Sequence, residues 1–103
     1  MFEFKICKLD EIEAGELHSF DVEGMQLPVL VFWHDGEIVA GSGMCPHEDV
    51  ELVHGELDGD QLICGAHGYA FDVKSGACAH EARLCWKRYK TRIEHGVLFV
   101  SPF

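Results

Sequence analysis

No stretch of about 18 apolar residues occurs in this 103-residue sequence, which excludes a membrane-crossing helix. The opening residues Met1-Phe2-Glu3-Phe4-Lys5 lack the basic head and apolar run of a secretory leader, and no twin-arginine signal stands there. The expected compartment is therefore the cytoplasm, where thiols stay reduced. Basic residues are scarce: Lys and Arg number 8 against 18 Asp and Glu, for a net charge of −10. That balance argues against nucleic acid as a partner, because phosphate contacts need Lys and Arg. Internal repeats, low-complexity stretches and linkers are missing too, so residues 1–103 read as one domain. Cysteines are five, an odd number that speaks against a disulfide scaffold and leaves metal ligation open.

What is present is apolar sequence in short pieces. Hydrophobic residues make up 48% of the chain, cut into brief runs by Gly and Asp turns, the pattern of an all-β fold. Strands are expected at Phe2–Ile6, Leu17–Val22, Leu27–Trp33 and Ile38–Ala40, with Leu9–Glu16 as a turn or single helical turn. The Asp35-Gly36 pair between apolar runs is a hairpin signal. Tyr89–Ile93 and Val97–Val100 flank Glu94-His95-Gly96, a second hairpin. Between these outer hairpins, residues 41–82 are dense in Gly, Cys and His, with short strands expected at Gln61–Cys64 and Tyr69–Val73. The frame is a small antiparallel β-sandwich or barrel with an inserted subdomain at about residues 43–82. Charge is uneven along it: residues 1–60 hold 15 of the 18 acids and only Lys5 and Lys8, while residues 61–103 hold 3 acids and 6 bases.

The insertion carries the chemistry. Cys45-Pro46-His47 is followed, with 16 residues between, by Cys64-Gly65-Ala66-His67. Two loops, each offering one thiolate and one imidazole, make a four-ligand metal site. Zinc ribbons and fingers group their ligands differently, in C-x2-C pairs or with the two His together. The mixed pairing suits a two-iron cluster with both thiolates on one iron and both imidazoles on the other. Cys7, Cys78 and Cys85 read as structural thiols. His18, His34, His80 and His95 read as surface residues, with His54 the one spare histidine near the site, and Trp33 and Trp86 read as packing residues.

The spacing C-x-H-x16-C-x-x-H resembles the ligand signature of the Rieske family. The flanks Met44-Cys45-Pro46-His47-Glu48, Gly55–Asp60, His67–Asp72 and the closing Tyr89–Val100 pattern resemble that family as well. The resemblance implies a Rieske fold holding one [2Fe–2S] cluster, with Cys45 and Cys64 on the inner iron and His47 and His67 on the outer. It also implies backbone amides near Gly65 and Gly68 approaching the sulfurs. Respiratory members carry a disulfide over the cluster; the matching positions here are Val50 and Ala66. Their Ser and Tyr donors correspond to Tyr69 and Phe71, which implies a potential at the low end of the Rieske range, roughly −150 mV.

The chain looks most similar to the free-standing ferredoxins of toluene monooxygenases, in Met44–His47 and the late Cys85, and next to those of aromatic-ring dioxygenases. The implied role is a non-catalytic one-electron carrier in aromatic hydrocarbon catabolism. Its partners would be a flavin-dependent NADH reductase and a terminal oxygenase or hydroxylase, met through the His47/His67 tip. Two other readings are a structural zinc-binding interaction module and a regulatory subunit similar to the small subunit of nitrite reductase. Where many relatives have a proline-rich loop, residues 76–83 contain none.

Overall fold

A computed structural model describes residues 3–66 and 68–102. Nine strands occur among them, in three three-stranded antiparallel sheets. The first sheet joins β1 (Phe4–Lys8), β9 (Val97–Ser101) and β8 (Lys90–Glu94) in the order β1-β9-β8, with Phe4 opposite Val100 and Lys90 opposite Ser101. The second joins β2 (His18–Phe20), β3 (Val29–His34) and β4 (Glu37–Ser42). The third, β5 (Glu56–Asp58), β6 (Gln61–Ile63) and β7 (Ala70–Asp72), forms the insertion. Short 3-10 turns follow β1 (Leu9–Glu11) and precede β5 (Leu52–His54).

Both hairpins expected from the sequence form, and both are two-residue turns. Asp35 and Gly36 take φ of 50° and 77°, and His95 and Gly96 take 52° and 75°. Positive φ at both central residues twists the turn in the sense of the flanking strands. His34 therefore pairs with Glu37, and Glu94 with Val97. The first strand begins at Phe4 rather than Phe2, whose place lies outside the described residues. Glu56–Asp58, within the Gly55–Asp60 stretch, forms a strand that pairs with Gln61–Ile63, Leu57 lying opposite Leu62.

The second sheet is buried on both faces, which explains the nearly unbroken apolar run of β3. Side chains alternate along a strand, so the two faces serve two different cores. Val29 and Val31 face a base core with Ile38, Ala40, Leu98 and Val100. Leu30 and Phe32 face the other way, into a core shared with Val39, Leu62, Phe71 and Trp86. That second core also contains Cys45 and Cys64. Among the described residues no helix is long and apolar enough to cross a membrane, and no disulfide is formed.

Candidate metal centre

Two loops carry the candidate ligands, and both are closed by backbone bonds. In the first, Leu52 N–H donates to Gly43 O (2.8 Å) and Cys45 N–H to Val50 O (2.8 Å), so Cys45 opens a tight excursion. In the second, Cys64 N–H donates to Tyr69 O (2.8 Å) and Gly68 N–H to Cys64 O (3.1 Å). Each cysteine thus stands at the mouth of its loop with its backbone satisfied. The second loop is also pressed against the Leu52–His54 turn that follows the first. A Cβ at Gly65 would lie 2.8 Å from His54 O, and one at Gly55 would run into Ile63 O and approach Gly65 N to 3.2 Å. Side chains cannot be accommodated there, so glycine at both positions lets the two backbones touch.

Cys45 and Cys64 end in the same buried core, close enough for Cys64 to act on the Cys45 thiol. Burial pushes the Cys45 thiol up, and the neighbouring Cys64 adds to this, while the backbone N–H groups of His47 and Glu48 pull it down. The first of these donors lies 3.4 Å from Cys45 Sγ. Burial thus makes Cys45 hold its proton, and two buried sulfurs in one core with amides aimed at one of them suit a soft cation that displaces protons and is shared between the thiolates. This donor set fits an iron–sulfur cluster.

His47 is half-buried beside the thiols, its Nδ1 3.8 Å from a Glu48 carboxylate oxygen. Its ring lies against Tyr69, centroids 4.0 Å apart, and Tyr69 in turn stacks on His80 at 5.6 Å. His67, the fourth expected ligand, lies outside the described residues. Phe71 is fully buried in the core with the cysteines. Val50 packs on that core and Ala66 is exposed.

The spare residues depart in part from expectation. His80 is exposed as expected, and beyond that its Nδ1 accepts from Ala70 N–H at 3.4 Å and its ring extends the stack on Tyr69. His34 is inserted between two turns, with a side chain only 8% exposed and Nε2 2.8 Å from Asp60. Cys7 is buried as expected, but Cys78 is half-buried and Cys85 exposed. The aromatic stack could have been suspected from Tyr69 and His80 only with knowledge that residues 77–79 fold back beside β7. They do so because Asp72 N–H bonds Ala77 O (2.8 Å) and Ala79 N–H bonds Ala70 O (2.9 Å). A proline at 79 would remove the second of these donors, so the proline-free loop is held by bonds of its own.

Comparison with known proteins agrees with this geometry. The chain is 35% identical over 97 residues to the ferredoxin component of the alkene monooxygenase system of Xanthobacter autotrophicus, covering 93% of this chain and 78% of that protein. The structure of the Sphingomonas yanoikuyae B1 ferredoxin superposes with a TM-score of 0.86 at 28% identity, over 96% of this chain and 97% of that one. A chain from the complex of reduced oxygenase and oxidized ferredoxin in carbazole 1,9a-dioxygenase gives 0.84 at 25% identity, over 97% and 93%. Residues 2–90 match the Rieske [2Fe–2S] domain, and the chain belongs to that family.

Proposed function

We propose that Cys45, His47, Cys64 and His67 hold the [2Fe–2S] cluster of this domain, within a cluster-binding part spanning about residues 43–82 of a single 1–103 domain. The chain then serves as the ferredoxin component of a multicomponent oxygenase. It accepts one electron from an NADH-dependent flavin reductase and delivers it to a terminal oxygenase, of the di-iron monooxygenase or Rieske dioxygenase kind, in aromatic hydrocarbon breakdown in the cytoplasm. The observation that carries this reading is the placing of Cys45 and Cys64 in one buried core at the mouths of two bonded loops.

Bound there, the cluster supplies a one-electron couple. The chain's own residues set the terms of it. Burial of both sulfurs excludes water, and the His47 amide near Cys45 Sγ stabilises added negative charge. Tyr69 limits how the His47 ring can turn. Phe71 brings no hydroxyl to the site, which keeps the potential near the low end, at roughly −150 mV, a value suited to a donor fed from NADH.

Substituting Cys45→Ser, His47→Ala, Cys64→Ser and His67→Ala singly, with Cys85→Ser as control, tests the assignment. Each of the four is expected to lose iron and sulfide from the brown wild-type protein, while the control keeps both. A colourless wild-type protein holding one zinc per chain would sink the reading. Stopped-flow mixing of reduced protein with its oxygenase then tests the carrier role; an oxygenase that is not reduced would defeat it.

A further inference from the structure

The six bases of residues 61–103 are not scattered. Four of them, Lys74, Lys87, Arg88 and Lys90, line one open groove of about 920 Å³. No Asp or Glu lines it, in a chain with 18 acids. The other two bases of that half are neutralised elsewhere, Arg83 by Glu81 and Arg92 by Glu3 and Glu94. By contrast, the groove cations form no side-chain ion pair among the described residues. Arg88 donates instead to the carbonyl of Val73 at 3.2 Å, and Lys74 acts on the Asp72 carboxylate through its backbone N–H and its charge.

The floor is rigid. Trp86 and Tyr89 are buried there, with Trp86 N–H bonded to Gly76 O (2.8 Å) and Tyr89 N–H to Ala40 O (2.9 Å). Lys87, Arg88 and Lys90 stand exposed between and beside them. The position also differs from that of the metal centre. Cys64 and Tyr69 lie at one end of the β6–β7 hairpin, where Ile63 pairs with Ala70. Lys74 follows the other end, where Gln61 pairs with Asp72. A partner in the groove therefore leaves the His47 tip uncovered.

We propose that this groove docks an acidic segment of a partner protein. Four like charges line this groove with no acid in its own lining, although Asp35 and Glu37 share a neighbouring pocket with Lys74 and Arg88, and the positive potential at Lys87 and Lys90 in particular suits an anionic ligand. An extended polyanion is a poor match, because beyond the groove it would meet the surface of a protein of net charge −10. An anionic membrane is a poor match for the same reason, and its flat face does not enter a concavity. A short run of Asp or Glu on a protein loop fits both the shape and the limited patch of charge. The inference is independent of which residues ligate the cluster, since none of the groove residues is a candidate ligand.

Fluorescence anisotropy with fluorescein-labelled octaglutamate, using the oxidised holoprotein at low salt, tests it. Wild type is expected to bind, and K87E/K90E to bind at least tenfold more weakly, with K87A/K90A between them. Amide shifts in the wild-type NMR spectrum should centre on Lys74 and residues 87–91. The proposal is overturned by no binding to wild type, by equal binding to K87E/K90E, or by shifts centred on the loop at 45–50. It is also overturned if inorganic phosphate competes at equal concentration, which would make this a small-anion site, or if phosphatidylglycerol vesicles bind in place of the peptide. The visible spectrum of the same samples tests the carrier reading separately: colourless protein sinks that reading, and brown protein that ignores the peptide sinks this one.

Discussion

Gly41→Ala should be among the most damaging single-methyl additions to this protein, and Trp86→Phe should partly cure it. Gly41 lies buried in β4, where no unusual backbone angle demands glycine. The constraint is space: a Cβ there would sit 2.6 Å from Lys87 O and 2.8 Å from Trp86 Cε2, and closer still to Cζ2 of the same ring. The indole cannot swing aside freely. Its Nε1–H donates to Ser42 O at 2.8 Å, and its face stacks on Phe32 with centroids 6.1 Å apart. Overpacking costs about 1–3 kcal/mol, and a buried carbonyl left without its donor costs about 1–3 more. Gly41→Ala alone should thus lose about 2–6 kcal/mol. Trp86→Phe loses the same bond and leaves a void, for about 2–4 kcal/mol. In the double variant the new methyl fills space vacated by the indole. The combined loss should fall short of the sum by about 1 kcal/mol or more, although the Lys87 contact keeps it below wild type. Thermal melts at one scan rate, followed by far-UV circular dichroism and by loss of visible absorbance, measure this. At about 4–8 °C per kcal/mol for a domain of this size, Gly41→Ala should melt about 10 °C or more below wild type. Strict additivity of the two changes, or an unshifted Gly41→Ala, would refute the packing argument.

Asp60→Ala should cost about 0.5–1.5 kcal/mol by removing the 2.8 Å contact that ties the β5–β6 turn to the buried side of His34; urea melts at neutral pH read it, and no change would mean the contact is idle. Burial, with Glu11 adding to it, pushes the Cys7 thiol up to about 11. The folded state therefore keeps this proton to higher pH than the unfolded chain, so its contribution is intact below the ordinary thiol range and is lost as pH rises through about 11. Wild type should lose on the order of 2 kcal/mol more than Cys7→Val between pH 8 and 11, and parallel pH profiles would contradict it. Glu48, Asp49 and Glu51 give the tip an acidic rim, so electron delivery to a basic partner face should slow on the order of tenfold between low and high salt; stopped-flow rates indifferent to ionic strength would remove that steering.

The candidate metal centre could be read from the sequence because its candidate ligands come in two short local motifs, and the structure puts Cys45, His47 and Cys64 on two loops. The hairpins at Asp35-Gly36 and His95-Gly96 were legible for the same reason, since the turn residues declare the turn. Strand ends were less so: Leu17 and Leu27 read as strand residues from their apolarity, yet the ladders begin at His18 and Val29. Nothing local distinguishes them from strand residues, because a side chain can serve the core from outside a ladder, as Leu17 does. Long-range features were not legible at all. The pairing of Phe4 with Val100, the burial of His34 by Asp60 and the gathering of Lys74 with Lys87, Arg88 and Lys90 all depend on segments far apart in sequence. The sequence displays the asymmetry of charge, but the groove exists only after β7 has turned its end toward β8.

One strand accounts for how so small a chain holds a buried site steady. Because β3 gives Val29 and Val31 to the base and Leu30 and Phe32 to the core containing Cys45 and Cys64, the two cores cannot shift independently. Ser42, at the end of β4, reinforces the joint: its N–H donates to Lys87 O (2.9 Å), its carbonyl accepts the Trp86 indole, and its hydroxyl meets Met44 N–H at 3.3 Å on the way into the first ligand loop. A loop anchored in this way has little freedom to relax when charge changes at its tip, and a site that does not relax is the one suited to exchanging single electrons. The same joint forms the floor of the basic groove through Trp86. Loosening it should therefore disturb cluster retention and groove binding together, although no residue of the groove is itself a candidate ligand.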